Sequence, residues 1–87
     1  MTMTRTKLEI DALERVITAA QKRDGHTLQE RLYDLITLAD EYAPNRAKMY
    51  RQWVIAFVSQ DKKIQAMQDI VSEATKQIKT LKQGRKA

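Results

Sequence analysis

The chain has 87 residues, a net charge of +5, 43% apolar residues, two glycines, one proline and no cysteine. That length holds one domain, so the reading is a single helical domain over 1–87, and the missing cysteine excludes disulfides and thiolate metal sites as reinforcement. So little glycine and proline beside so much apolar content argues against disorder and against a β-rich fold.

Residues 1–6 lack the apolar core of a signal peptide, and no apolar run approaches a membrane span. The expectation is a cytoplasmic protein without a membrane partner, with flexible ends at 1–5 and 84–87. The charge is uneven: residues 1–26 sum to +1, residues 27–45 to −3 and residues 46–87 to +7. Attraction to an anionic partner therefore belongs to the C-terminal half.

Thr6-Lys7-Leu8-Glu9 has the form of a capping box, and Ile10, Leu13, Val16, Ile17 and Ala20 follow at helical spacing. This predicts a first helix over 6–24. Lys22 and Arg23 suit its negative end, and Gly25 suits the left-handed residue that closes it. Thr27-Leu28-Gln29-Glu30 repeats the box, and Leu28, Leu32, Leu35, Ile36, Ala39 and Tyr42 form a second stripe. This predicts a helix over 28–43, ended by Pro44, which lacks an N–H and starts the next helix better than it continues the last.

From Asn45 to Gln83 no proline or glycine intervenes. Tyr50, Trp53, Phe57, Gln60, Ile64, Met67, Val71, Ala74, Ile78 and Leu81 alternate three and four apart, a heptad seam with one polar interruption. The fold class is thus all-α: a three-helix bundle or helical hairpin whose long third helix, 45–83, carries coiled-coil-like heptads. Roughly 38 residues at 1.5 Å rise would reach about 57 Å, too far for two shorter helices to cover. Ile64, Met67, Val71, Ala74, Ile78 and Leu81 then form a homodimer interface, because a second copy is the simplest cover. The other reading is a break at Ser59-Gln60-Asp61, with Ser59 capping a fourth helix that folds back inside one chain.

Catalysis has little to stand on. Asp40–Glu41 and Glu9 with Asp11 fall on polar helix faces and read as solvated carboxylates. His26, the one histidine, precedes a capping threonine and reads as an exposed turn residue. One histidine without cysteine does not build the usual zinc site, and no glycine-rich phosphate loop is present. No catalytic residue, metal ligand, cofactor or small-molecule substrate is expected.

The segment 38–54 resembles a helix-turn-helix. Ala39 is small where the first helix needs it, Tyr42 precedes the turn, and Met49-Tyr50-Arg51 with Trp53 have recognition-helix spacing. The resemblance implies Arg46 on phosphate and Lys48, Arg51, Gln52 and Ile55 facing the groove, opposite Tyr50, Trp53 and Phe57. Lys62 extends that basic set. The segment departs from the pattern in having Ala43 where a turn glycine is usual and Pro44 beside it. Glu30, Asp34 and Glu41 make an acidic contact face, which opposes docking on a polyanion. The basic run Lys76, Lys79, Lys82, Arg85 and Lys86 has no interleaved aromatic residue for base stacking and suits a helix C-terminus.

"KLEIDALERV", "GHTLQERL" and "YRQWVIA", in that order over roughly residues 6 to 56, also resemble the small three-helix theta subunit of bacterial replicative polymerase. "YDLITLAD" does not match that family's proline-containing middle motif. The resemblance implies a partner-binding accessory protein without activity of its own. The favoured reading is a small non-catalytic helical interaction protein, homodimeric, that regulates or inhibits by docking on a larger protein, of a kind that suits a phage or plasmid. The alternative is a dimeric helix-turn-helix-like regulator that binds nucleic acid.

Overall fold

A computed structural model describes residues 4–84, which are all-helical. Four helices follow one another in that span: α1 (Arg5–Gln21), α2 (Gly25–Asp40), α3 (Pro44–Ser59) and α4 (Lys63–Gly84). Residues 1–3 and 85–87 lie outside it, and with them Arg85 and Lys86 of the basic run. Among the described residues no helix is long and apolar enough to cross a membrane.

The first helix starts two residues earlier than the capping box at Thr6 predicts. Thr4 is the N-cap, its hydroxyl accepting from the Lys7 amide at 3.1 Å. That frees Glu9 from any capping role, and Glu9 turns inward with Ile10, Leu13, Val16, Ala19 and Ala20. Arg5, expected in a flexible end, is the first residue of α1, and Thr4 stands just before it as the cap.

The α1–α2 corner also falls earlier than expected, at residues 22–24. Arg23, not Gly25, takes the left-handed conformation, with φ 58. Its amide bonds to Ala20 O at 3.0 Å, and the Asp24 amide reaches back to Ala19 O at 3.2 Å, which together close α1 in a Schellman motif. Asp24 at once caps α2: one carboxylate oxygen accepts from the Thr27 amide at 3.2 Å and the other from the Thr27 hydroxyl at 2.8 Å. Gly25 opens α2, where a Cβ would stand 3.4 Å from the Phe57 ring and 3.5 Å from the Met67 methyl. The Thr27 box is therefore not formed, and α2 ends at Asp40 with Tyr42 in the following turn. Ala43, outside the helical region that proline disfavours for the residue before it, hands over to Pro44 at the start of α3.

The single long third helix is corrected to two. Gln60 leaves α3 in an extended conformation, with φ −87 and ψ 131. Ser59 does not cap α4, since its hydroxyl donates back to Ile55 O at 2.7 Å. Lys63 supports the break by donating to the carbonyls of Phe57 and Val58 while its ammonium lies 5.0 Å from the Phe57 ring centre. The physical reason is burial. Folded back, α4 packs on α1 and buries Ala66, Met67, Ile70, Ala74 and Leu81 within the chain. Covering Met67, Ile70 and Leu81 is worth about 2 kcal/mol each. The three or four helical hydrogen bonds given up are worth about 1 kcal/mol each, and Lys63 and water restore part of that.

The result is a bundle in which α1 packs against both α2 and α4, and α2 against α3, with a thinner α3–α4 contact. Tyr50 and Trp53 meet edge to face at 4.9 Å in its centre. Its longest dimension is 39 Å, well short of the extended helix. A left-handed arginine stores backbone strain that glycine would not. Arg23→Gly should therefore raise the unfolding free energy by about 0.5–1 kcal/mol, seen as a thermal midpoint about 4 °C higher in calorimetry.

Candidate functional site

Two features stand out chemically, a buried carboxylate and an exposed apolar face. Glu9 is the buried charged residue of the core, with no exposed surface. Arg46 forks onto it, Nε to Oε2 at 2.9 Å and Nη2 to Oε1 at 3.0 Å. The hydroxyls of Tyr42 and Tyr50 donate to the same two oxygens. The Arg46 guanidinium also lies 5.5 Å above the Tyr42 ring. One side chain of α1 thus holds the α2–α3 turn and the first two turns of α3.

The electrostatics follow from that geometry. Burial pushes the Glu9 carboxyl up, but bonds from Arg46, Tyr42 and Tyr50 outweigh it and hold its pKa below the ordinary carboxylate value. Burial first, and then the Glu9 charge, push the Tyr42 phenol up to about 12 and Tyr50 higher still. The Glu9 bonds push Arg46 upward as well. Both carboxylate oxygens are occupied by protein donors, so the group has no acceptor capacity left for a substrate proton. The cluster is a clasp, and Glu9 is not the solvated carboxylate that its charged neighbours suggest.

Arg46, expected on phosphate, is accordingly engaged inside the fold with Glu9. Arg51 is paired as well, with Asp40 across the α2–α3 groove. Of the other expected contact residues, Lys48, Gln52, Ile55 and Lys62 are exposed. On the acidic side Glu30, Asp34 and Glu41 are exposed, in loose pairs with His26 at 3.8 Å, Arg31 at 3.4 Å and Arg5 at 3.4 Å. His26 is exposed in the first turn of α2. Among the described residues no group of three histidine, cysteine or acidic side chains is placed to hold a metal.

The heptad seam is not one exposed stripe. Met67, Ala74 and Leu81 are buried against the chain's own core, and Val71 and Ile78 are half-buried against it. Ile64 alone stands clear, at 50% exposure. Of the seam expected to need a second copy at 64–81, Met67, Ala74 and Leu81 are thus covered within the chain, while Val71 and Ile78 are covered in part and Ile64 is not.

Large apolar side chains collect instead on the outer face of α2 and α3. Tyr33, Ile55 and Val58 are exposed by 50%, 57% and 56%. Tyr33, Ile36, Arg51, Val54 and Ile55 line a shallow groove there of about 250 Å³. Of the residues lining this groove the sequence reading marked Arg51 and Ile55 as contacts. Tyr33 and Val58 lie off both helical stripes, and their proximity depends on the α2–α3 pairing. Glu9 left a readable trace: it stands four residues before Leu13, in line with the buried stripe of α1. Comparison with protein-family models, curated proteins and solved structures gives no match.

Because the folded-state pKa of Glu9 is lowered, its stabilisation is fully present above the ordinary carboxylate value near 4.5 and is lost as pH falls toward the folded-state value. Urea midpoints measured from neutral pH downward should fall through that window. Glu9→Gln should flatten that part of the profile. At neutral pH Glu9→Ala should remove about 3 kcal/mol, since two tyrosine hydroxyls and an arginine lose their acceptor.

Proposed function

We propose that this chain is a small non-catalytic helical interaction protein that works by docking, as a homodimer, on a larger macromolecule as regulator, inhibitor or accessory subunit. The observation that carries this reading is the α2–α3 outer face. Ile55, Val58 and Tyr33 are left in solvent together, while among the described residues no buried side-chain polar atom lacks a partner. A chain that satisfies its interior so fully and still groups three large apolar side chains outside favours a contact surface there.

The nucleic-acid alternative has less support. DNA affinity scales with the number of phosphates neutralised, and Arg46 and Arg51 are already held by carboxylates of the same chain. Lys48 and Lys62 remain, beside exposed Glu30, Asp34 and Glu41.

A tagged chain used as bait in host extract, with and without nuclease, tests both readings. The wild type should enrich a defined protein in a nuclease-resistant manner, and Ile55→Asp should reduce that enrichment about tenfold or more, as loss of a central apolar anchor does. Equal enrichment by both chains contradicts the docking reading. Duplex DNA anisotropy that rises at low salt and is lost in Lys48→Ala favours the nucleic-acid reading instead.

A further inference from the structure

We propose that the occupant of the α2–α3 face is a second copy of this chain, related by a two-fold axis running along the groove between the two helices. This rests on reading that face as a docking surface. Asp40 pairs with Arg51, and the same groove brings Tyr33 and Ile36 beside Val54 and Ile55, so α2 and α3 run antiparallel. The Glu41 end of α2 therefore lies beside the Lys48 end of α3, and the Glu30 end lies beside Ser59 and Lys62.

The face is consequently divided by helix. α2 carries exposed Glu30, Asp34 and Glu41 with Tyr33, and α3 carries exposed Lys48, Ile55 and Val58, with exposed Lys62 in the turn that follows it. Lys48 and Lys62 have no ion-pair partner among the described residues. Rotation about an axis along the groove lays α2 of one copy over α3 of the other. Apolar then meets apolar, Glu30 and Asp34 approach the partner's Lys62, and Glu41 approaches the partner's Lys48. A two-fold across the helices would instead set acid on acid, which like-charge repulsion disfavours. The first arrangement closes on itself and leaves no open edge for further copies.

Size sets the expected strength. Two helices of 16 residues each are about 24 Å long and pack 8–10 Å apart, so the face projects to roughly 430 Å² per copy. That is a small interface, and a dissociation constant of roughly 10–100 µM fits it.

Paired charge reversals test the proposal, in sedimentation equilibrium at low salt. One variant carries Glu30→Lys, Asp34→Lys and Glu41→Lys, the other Lys48→Glu with Lys62→Glu. All five positions are exposed, and circular dichroism verifies that the helices remain. The wild type should dimerise at tens to hundreds of micromolar. Each variant alone should be monomeric there, and their equimolar mixture should form a one-to-one dimer, because each then supplies the sign that the other lacks. A monomeric wild type, or a mixture that stays monomeric, overturns the proposal. A monomeric wild type that still captures a host protein only when Ile55 is intact overturns the second-copy assignment and leaves the docking reading standing. A dimer of the expected mixing behaviour with nothing captured from the host does the reverse.

Discussion

The arrangement depends on one buried carboxylate. Glu9 sits on the apolar stripe of α1 with no exposed surface, and Arg46, Tyr42 and Tyr50 all converge on it. An isolated carboxylate there would cost several kcal/mol to desolvate. The chain is therefore constrained to bring the turn at 41–43 and the start of α3 against α1, where the donors are. That contact fixes the α2–α3 corner, and the corner in turn decides which side of each helix is left facing solvent.

The same clasp explains why the basic charge of the chain is less available than its total suggests. Arg46 neutralises Glu9, Arg51 neutralises Asp40, and Lys63 closes the end of α3 on backbone carbonyls. The cations that remain outward on α3 and its following turn, Lys48 and Lys62, flank an apolar strip without converging on a groove fit for a phosphate backbone. Charge placed that way orients a protein neighbour and sets partner choice more than it supplies affinity.

Much of the fold was legible in the sequence. The stripes of α1 and α2, the proline at the start of α3 and the aromatic core of Tyr50, Trp53 and Phe57 are each local patterns and appear as read. The errors lie where two local signals compete or where distant burial decides. Thr6 reads as the cap because Glu9 completes a box with it, although Thr4 caps α1 and the core claims Glu9. Gly25 looked like the natural left-handed residue, yet Asp24 caps α2 so early that Arg23 has to turn the corner. The break after Ser59 agrees with the second reading of the sequence and not the favoured one, since no glycine or proline marks it. It exists because α1 offers Met67, Ile70 and Leu81 a surface to bury on, and no window of sequence shows that. The apolar face was half legible: Ile55 stood out on α3, while Tyr33 and Val58 join it only through the pairing of two helices.

The bundle buries much of its α4 seam against its own core and leaves Tyr33, Ile55 and Val58 exposed on α2 and α3, the face proposed to receive a second copy. The most direct measurement is the concentration dependence of amide NMR spectra of the wild-type chain. Shifts confined to Tyr33, Lys48, Ile55, Val58 and Lys62 are the predicted result. Shifts centred on Ile64, Val71 and Ile78 of α4, or spectra unchanged up to hundreds of micromolar, would contradict it.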